Sequence, residues 1–575
     1  MLVAVGIAYW PAISAGFIWD DDTAITANPL LKTARGLWMI WSQPALSPQG
    51  YYWPVTNTAF WVQYQLWGQH PLGYHLTNIA LHAANALLVW ALLNRWSVRW
   101  AWGAAALFAL HPVNVESVAW AVEQKNTLSL LWMLLATHAC LRHESRPRAR
   151  VYAGALALFT AALLSKSSAI VLPPILAVLM WWRAGRLSKT HCLRLAPFFL
   201  LALVLGAFQV SIYARGHQLD ATLSVPERLG LAGRCLWFYA GKFCWPHPLL
   251  AIYPKWDLAT AGVGDILYPA AAGVVWVALF AARGTLGGGA FVAATCFGLA
   301  LAPMLHVLSQ SGFTSYAYVN DHALYVASIA GCALVAAAVG TLAQRSRAWA
   351  LGARGAAGLV LIGAVVLSHH AARHYRDFET LFEETLIHNP GAWPAHANLG
   401  GYYLQRGDAV RAERHFRAAL HLHPACPQAY TGLGMLAAAA DKPAEAIAGF
   451  RAALRFDPDD LMALNNLGLA LQTPAQAAES EAILRHAIAV HPQAATAYFN
   501  LGGTLMTAER PAEAQDAFQA AVVRDPTHAG AWHNLGTLLR YHGRSAEAAK
   551  AFARVLELDP GNAQAAADLA DVKTQ

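Results

Sequence analysis

Proline recurs every 34 residues in the last third of the chain, and this period limits the possible fold more than any other feature. The prolines are Pro390, Pro424, Pro458, Pro492, Pro526 and Pro560. Two further series keep the same interval: Leu399-Gly400, Leu433-Gly434, Leu467-Gly468, Leu501-Gly502 and Leu535-Gly536, and the apolar residues Phe382, Phe416, Phe450, Leu484, Phe518 and Phe552. A unit of this length cannot bury an apolar face alone, so its copies must stack on one another.

This pattern is typical of the tetratricopeptide repeat, in which each unit is a pair of antiparallel helices. The glycine allows the two helices to pack closely, and the proline ends the second helix. The sequence predicts an initial half repeat at 377–390 and five repeats over 391–575. Such a stack is an all-α superhelix with a concave groove, and tetratricopeptide stacks usually bind protein segments.

An asparagine precedes the Leu-Gly pair in four of the repeats: Asn398, Asn466, Asn500 and Asn534, with Gly432 interrupting the series. Each side-chain amide offers a donor and an acceptor, so a row of them can pair with the backbone of an extended peptide. The alternative is that these amides only satisfy neighbouring repeats. The sequence leaves both interpretations open.

The chain before these repeats is far more apolar. The whole protein is 57% hydrophobic with a mean hydropathy of +0.35, yet the apolar runs stop near Ser368. We therefore predict an all-α membrane domain over residues 1–370. About eleven spans are expected: 1–18, 73–94, 100–118, 127–141, 151–165, 168–182, 195–213, 264–282, 289–308, 323–341 and 351–368.

Charge predicts the orientation of these spans. Residues 1–370 carry a formal charge of +12 and residues 371–575 one of −5. With a cytoplasmic amino terminus, 14 of the 23 cations in residues 1–370 fall in short inner loops, as the positive-inside rule requires. The repeats then lie outside the cytoplasm. No basic stripe with interleaved aromatic residues is present, and no nucleic-acid partner is expected.

Three consecutive carboxylates, Asp20, Asp21 and Asp22, follow the first apolar segment. Each would cost roughly 2.5–3.5 kcal/mol at the centre of a membrane helix, so they must lie at or beyond the membrane boundary. They are a candidate active site on the first outer loop. A solvated helix end is the alternative interpretation.

Two further polar features lie in the apolar part. The stretch 111–117 is predicted to dip back into the membrane as a loop that lines a cavity. On the second span, His75, Asn78, His82 and Asn85 share one helical face. Such a face is as often used for hydrogen bonds between helices as for a ligand.

The order of motifs resembles a known family. Gly16-Phe-Ile-Trp-Asp-Asp-Asp-Thr-Ala-Ile-Thr-Ala-Asn28, Tyr52-Trp-Pro-Val-Thr-Asn57, Gly73-Tyr-His-Leu-Thr-Asn78, His111-Pro-Val-Asn-Val-Glu-Ser-Val-Ala-Trp120, Leu164-Ser-Lys166 and Trp245-Pro-His-Pro-Leu249 are similar to those of the transmembrane and tetratricopeptide-repeat (TMTC) proteins and their bacterial relatives. The resemblance implies a GT-C glycosyltransferase, which moves a sugar from a polyprenyl-phosphate donor to an acceptor at the outer face. It also implies a bacterial inner-membrane location. The animal members are described as O-mannosyltransferases acting on Ser or Thr.

Under this resemblance the family's acidic pair falls on Asp20 and Asp21, and one of them is expected to act as general base. Asp22, Glu116 and Glu123 are supporting acidic residues, and the two glutamates are candidates for binding sugar hydroxyls or a metal ion. Lys125 and Lys166 are candidates for binding the donor phosphate, with interfacial snorkelling as the alternative. The sequence establishes no cofactor, and a divalent cation is an open alternative.

This chain also departs from the family pattern. It has Gln124-Lys125-Asn126 in place of Arg-Lys-Asp, Ser165-Lys166-Ser167 in place of Ser-Lys-Glu, and Asp321-His322 in place of an acidic-Arg pair. These changes point to a different sugar or donor, or to reduced activity. A non-catalytic membrane anchor that displays the repeats to envelope proteins is therefore the main alternative to an enzyme, and a transporter or lipid-handling protein is a third option.

The seven cysteines show no spacing typical of a zinc site. Cys235 and Cys244 lie on the same predicted outer loop. Unpaired thiols are expected here, and a disulfide between the two in an oxidising compartment is the alternative.

Overall fold

A computed structural model describes residues 1–46, 50–216, 223–258, 263–307 and 316–574. It divides into two compact units, Met1–Pro390 and Gly391–Gln575. The described residues form helices joined by turns, and no strand occurs among them. The predicted all-α class is confirmed.

The first unit contains eighteen helices within its described residues. They are α1 (Leu2–Ala8), α2 (Trp10–Ile13), α3 (Ala34–Ser42), α4 (Pro54–Trp67), α5 (Pro71–Arg95), α6 (Ala101–Leu110), α7 (Val115–Ala119), α8 (Gln124–Ser145), α9 (Ala149–Ser165), α10 (Leu172–Ala184), α11 (Lys189–Gly216), α12 (Val225–Cys244), α13 (Val263–Ala281), α14 (Arg283–Leu286), α15 (Gly289–Leu301), α16 (Leu324–Leu342), α17 (Arg347–His374) and α18 (Phe378–His388). Short 3-10 or π turns cover Asp22–Thr26, Pro29–Leu31, Pro44–Leu46, Pro112–Asn114, Ala121–Glu123, Ser167–Val171, Ala302–Met304 and Asp321–Ala323.

Five segments in the described residues are long and apolar enough to cross a membrane, and they indicate a membrane protein. They are Pro71–Arg95, Ser167–Ala184, Lys189–Ala214, Asp321–Leu342 and Arg347–His374. Each coincides with one of the eleven predicted spans. Several of the others are short apolar helices, among them α6, α9, α13 and α15. The last residue of the predicted span 289–308 lies outside the described residues.

The first predicted span, 1–18, is not one continuous helix. Its residues form α1 and α2, which are separated at Tyr9, and the chain leaves α2 at Ser14. Pro11 lies in the first turn of α2, where its missing N–H costs no helical hydrogen bond. Residues 14–19, directly before the aspartates, therefore lie outside these helices.

The polar stretch 111–117 is folded into two short helical pieces, Pro112–Asn114 and α7. All seven of its residues are buried. The stretch is therefore packed within the first unit, between α6 and the turn Ala121–Glu123.

The second unit consists of five helix pairs and a final helix, as the 34-residue period predicts. The helices are α19 (Trp393–Gln405), α20 (Ala409–Leu422), α21 (Pro427–Ala439), α22 (Pro443–Phe456), α23 (Leu461–Ala470), α24 (Ala477–Val490), α25 (Ala495–Thr507), α26 (Pro511–Arg524), α27 (Ala529–Tyr541), α28 (Ser545–Leu558) and α29 (Ala563–Thr574). The glycine of each Leu-Gly pair faces the large apolar residue of the next helix. A Cβ on Gly400, for example, would lie 2.5 Å from the ring of Phe416, and one on Gly536 would lie 2.8 Å from Phe552.

The predicted half repeat forms α18 and lies within the first compact unit. Asp377 caps this helix by accepting a hydrogen bond from the backbone N–H of Thr380 at 2.8 Å.

The cysteines are free thiols, Cys235 being buried and Cys244 exposed. The structure therefore forms no disulfide between these two residues.

Candidate active site

Asp21 joins two segments that are distant in the sequence. Its Oδ2 accepts a hydrogen bond from the N–H of Ile18 at 2.9 Å, and its Oδ1 accepts one from the N–H of Val122 at 2.7 Å. The residue is fully buried. Both carboxylate oxygens are thus occupied by backbone donors that hold the aspartate loop against the turn Ala121–Glu123.

Asp20 and Asp22 have different surroundings. Asp20 is half-buried, and Lys125, Glu123 and His322 lie near enough to influence its charge. Asp22 is exposed, and its Oδ1 accepts a hydrogen bond from the hydroxyl of Thr26 at 3.0 Å. Of the three neighbours, Asp20 alone combines partial burial with proximity to the other charged candidates.

Glu123 is the centre of a buried charge cluster. Its Oε1 lies 2.7 Å from Nζ of Lys125, and its Oε2 lies 3.9 Å from Nζ of Lys166. Asn126 completes the arrangement, because its Nδ2 donates to Glu123 Oε2 while its Oδ1 accepts from Lys166 Nζ at 2.5 Å. One carboxylate and one amide therefore hold both lysines in place.

Glu116 brings His322 into the same cluster. Its Oε2 accepts a hydrogen bond from the backbone N–H of His322 at 2.6 Å, and its Oε1 lies 3.2 Å from His322 Nδ1. His322 Nδ1 is also 4.0 Å from Oε2 of Glu123. The imidazole thus lies between the two predicted supporting glutamates.

Burial and these charges set the proton affinities of the groups outside the spans. Burial raises the pKa of Asp20, with Lys125 and His322 opposing the shift and Glu123 adding to it. Burial also raises the pKa of Asp21 well above its usual value, against the two backbone hydrogen bonds. For Glu123 burial acts in the same direction, but His322, Lys125 and Lys166 outweigh it and lower the pKa. Burial lowers the pKa of Lys166 to about 8 although Glu123 opposes it.

The polar face of α5 supports this cluster through hydrogen bonds between helices. Asn78 Nδ2 donates to the carbonyls of Ser117, Val118 and Trp120 at 3.0, 2.9 and 3.3 Å. His82 Nδ1 lies 2.8 Å from the hydroxyl of Tyr325. The remaining members of the face, His75 and Asn85, are also buried. Of the two interpretations of this face, the described contacts favour hydrogen bonding between helices.

Two stacked aromatic pairs belong to the segments that carry the cluster or contact its residues. Trp19, next to Asp20, stacks on Trp120 with ring centroids 5.3 Å apart. Trp53 stacks on Tyr51 at 4.6 Å, and Nζ of Lys125 lies 5.5 Å from the centroid of a Trp53 ring. Such rings lower the local dielectric around the charges and offer flat faces to a ligand.

Three residues of the cluster were not among the predicted site residues: Asn126, Asp321 and His322. Asp321 is buried, and its Oδ1 accepts a hydrogen bond from the hydroxyl of Tyr253 at 2.8 Å. The departures from the family pattern could have revealed these residues. Asn126 and His322 are themselves departures, and Asp321 is next to one. The described residues form no group of three or more His, Cys, Asp or Glu side chains arranged to hold a metal ion.

The four predicted groove asparagines do not have equivalent surroundings. Asn500 is only 7% exposed, and its Nδ2 lies 3.5 Å from the carbonyl of Asn465 in the preceding repeat. Asn466 donates to the carbonyl of Met462 in its own helix at 2.8 Å. Asn398 and Asn534 are half-buried. Asn500 thus fits the structural alternative better than the peptide-binding one.

The repeat region of the chain matches a known family. The tetratricopeptide-repeat family matches at residues 402–461, 465–529 and 529–562. The solved structure of Pseudomonas aeruginosa pilF is 22% identical with a TM-score of 0.30, and covers 32% of this chain and 91% of its own. YrrB, described as a TPR protein with an unusual peptide-binding site, is 22% identical with a TM-score of 0.28, and covers 34% and 98%.

The chain is also similar in sequence to curated proteins named protein O-mannosyl-transferases. Protein O-mannosyl-transferase Tmtc1 of Drosophila melanogaster is 34% identical over 176 residues, which are 28% of this chain and 20% of the relative. Protein O-mannosyl-transferase F38B6.6 of Caenorhabditis elegans is 25% identical over 265 residues, 43% of this chain and 36% of the relative. Protein O-mannosyl-transferase TMTC3 of Mus musculus is 30% identical over 140 residues, 23% and 15%.

The matched segments span between 15% and 36% of the length of these relatives. The chain is a homologue of the TMTC protein O-mannosyl-transferases and carries tetratricopeptide repeats.

Proposed function

We propose that this chain is a GT-C-type membrane glycosyltransferase that moves a sugar, with mannose as the first candidate, from a polyprenyl-phosphate donor to a hydroxyl acceptor. The observation that carries the proposal is the convergence of Asp20, Glu123, Lys125 and Lys166, from three separate segments, into one partly buried cluster. The names of the homologues support the same reaction class.

In the proposed reaction the acceptor oxygen attacks the anomeric carbon of the sugar, and the bond from that carbon to the donor phosphate breaks. A base must take the hydroxyl proton as the new bond forms. Asp20 suits this role better than Asp21, because both oxygens of Asp21 already accept backbone hydrogen bonds. We assign Asp21 the role of holding the Asp20 loop in position.

The leaving phosphate departs with the electron pair of the broken bond and needs cationic donors. Lys125 and Lys166 are the proposed donors, and Glu123 and Asn126 fix both ammonium groups before the substrate arrives. Charges that are already oriented need no reorganisation during the reaction. Glu116 and His322 are left to contact sugar hydroxyls at the edge of the cluster.

The acceptor is proposed to be Ser or Thr of a protein segment held by the repeats, outside the cytoplasm. Tetratricopeptide stacks offer a groove suited to an extended chain. The second candidate function is a non-catalytic membrane-anchored scaffold for envelope proteins. One observation favours the scaffold. Glu123 lies 2.7 Å from Lys125, and this ion pair compensates a positive charge that phosphate binding would use.

The three adjacent aspartates allow a matched test. Asp20→Asn should lower transfer from a polyprenyl-phosphate sugar by roughly 10²–10⁴-fold, the usual contribution of a general base, without loss of folding. Asp22→Asn, an equal charge change at an exposed position, should leave the rate within about twofold. Transfer is measured on purified full-length protein with a radiolabelled donor.

Asp21→Asn serves as the third arm of this test. The amide replaces one acceptor oxygen with a donor, so one backbone N–H is left unpaired at a cost of about 1–3 kcal/mol. We expect a lower melting temperature for this variant. Equal rates for Asp20→Asn and the parent would reject the assignment of the base, and absence of transfer by the parent with any polyprenyl-phosphate sugar would favour the scaffold.

A further inference from the structure

An aromatic groove opens on the surface of the first unit, away from the charge cluster. It lies between α10, α13 and α15 and has a volume of about 380 Å³. Four rings line it: Trp181, Trp276, Phe280 and Phe291. The proposed transfer reaction uses none of these residues.

The rings form one packed cluster around Phe291. Its centroid lies 5.0 Å from that of Trp276, 5.1 Å from that of Phe280 and 5.8 Å from that of Trp181. The indole N–H of Trp276 donates to the hydroxyl of Thr295 at 3.0 Å, so its polar atom is already satisfied. The groove therefore offers an occupant apolar contacts rather than hydrogen bonds.

The outer rings of the cluster are open. Trp276 is 45% exposed and Phe280 is 37% exposed, whereas Phe291 at the base is 6% exposed. The groove is formed by apolar membrane-type helices, and α10 lies within the candidate span Ser167–Ala184. Water finds few hydrogen-bond partners in such a groove, whereas a hydrocarbon chain can fill it with apolar contacts.

The positively charged Arg283 lies at the edge of the groove, over the ring of Phe280. The guanidinium of Arg283 lies 3.8 Å from the centroid of Phe280, and its Nη1 donates to the carbonyl of Phe280 at 2.7 Å. Arg283 is exposed, and it forms no ion pair with a carboxylate among the described residues. A guanidinium has five N–H donors in a planar fork suited to phosphate, so this one retains donors for an anion.

We propose that this groove binds an anionic glycerophospholipid, with one acyl chain on the four aromatic rings and the lipid phosphate on Arg283. The combination of an apolar groove with an unpaired arginine at its edge matches a molecule that carries both a hydrocarbon chain and a negative head group. A zwitterionic phospholipid also carries a phosphate, but its head-group cation opposes the attraction to Arg283, so an anionic lipid should bind more tightly.

Photo-crosslinking tests the location. Full-length protein in detergent is mixed with phosphatidylglycerol that carries a diazirine in its acyl chain, irradiated, and mapped by peptide mass spectrometry. The adducts should concentrate on α10, α13 and α15, and unlabelled phosphatidylglycerol should compete at least about fivefold better than phosphatidylcholine. Labelling spread evenly over the membrane helices, or equal competition by the two lipids, would overturn the proposal.

Matched arginine variants test the head group. Arg283→Gln should remove most of the preference for phosphatidylglycerol while the protein still melts as the parent does. Arg345→Gln is the control, because the Arg345 guanidinium also lies near a ring, 5.8 Å from Trp349, but does not border the groove. A preference unchanged in Arg283→Gln, or lost equally in Arg345→Gln, would contradict a lipid held by Arg283.

Trp276→Leu should reduce labelling at α13 through lost ring contacts, and labelling unchanged there would contradict an acyl chain lying on the rings.

Discussion

Adjacent carboxylates of identical chemistry have three different environments in this protein. Asp21 is sealed by two backbone donors, Asp20 is half-buried beside lysine and glutamate, and Asp22 faces solvent. The turn after Ile18 separates them, because successive side chains of a tight turn point in different directions. Asp21 is thus a structural group, whereas its direct neighbour Asp20 is the candidate base.

At the residue scale, the charged cluster predicts a bell-shaped pH dependence of transfer. Asp20 must be ionised to accept a proton, and burial raises its pKa, so the rate should rise with pH at values above the usual aspartate range. Lys166 must be protonated to attract phosphate, and burial lowers its pKa to about 8, so the rate should fall as pH rises through about 8. The measurement is kcat/KM as a function of pH.

Lys166→Arg is the control for the alkaline limb, because a guanidinium stays charged at any accessible pH. The variant should retain some transfer, and its alkaline limb should move to higher pH. An alkaline limb unchanged in this variant would assign it to another group.

At the element scale, short helical pieces rather than long spans position the site. α7 and the turn Ala121–Glu123 carry Glu116 and Glu123, and Asn78 of α5 holds the carbonyls between them. The glycine positions of the repeats show the same dependence on close packing. In both cases another segment approaches the element closely and fixes its position.

Two neighbouring glycines of α19 provide a matched test of that packing. A Cβ on Gly400 would lie 2.5 Å from the ring of Phe416, whereas one on Gly401 would meet nothing within 4 Å. Gly400→Ala should therefore destabilise the repeats by about 1–3 kcal/mol through overpacking. Gly401→Ala should be neutral or stabilising by up to about 1 kcal/mol, since alanine favours helix. Denaturant unfolding of the full-length variants measures both, and similar losses at the two positions would contradict the role of the Leu-Gly pair.

At the scale of the whole molecule, the orientation in the membrane remains a prediction from the arginine and lysine bias. A reporter that is active only outside the cytoplasm should be active when fused after Gln575 and inactive when fused after Arg148. Activity in the opposite pair of fusions would place the aspartates and the repeats in the cytoplasm, and the proposed use of an outer-face acceptor would then be wrong.

The acceptor is the other prediction at this scale. Replacing the less buried Asn398, Asn466 and Asn534 together by Ala should weaken binding of a protein acceptor by about tenfold to a thousandfold, at about 0.5–1.5 kcal/mol for each lost hydrogen bond. Transfer to a short, unanchored acceptor should stay nearly unchanged. Asn500→Ala is the control, because that residue is buried between repeats. Unchanged binding in the triple variant would reject the amide ladder.

The sequence alone determined the helical class, the repeat and its register, and the change from an apolar to a soluble composition near Ser368, because these depend on periodicities that local sequence carries. It also singled out Asp20, Glu123, Lys125 and Lys166 through a family resemblance. The approach of these residues to one another was decided only by the tertiary structure, since Asp20 and Lys166 are separated by well over a hundred residues. The same holds for the difference between Asp20 and Asp21, which depends on a backbone N–H at Val122 that no local pattern could reveal. The break at Tyr9 in the first apolar segment was likewise invisible to hydropathy, which measures composition and not the continuity of a helix.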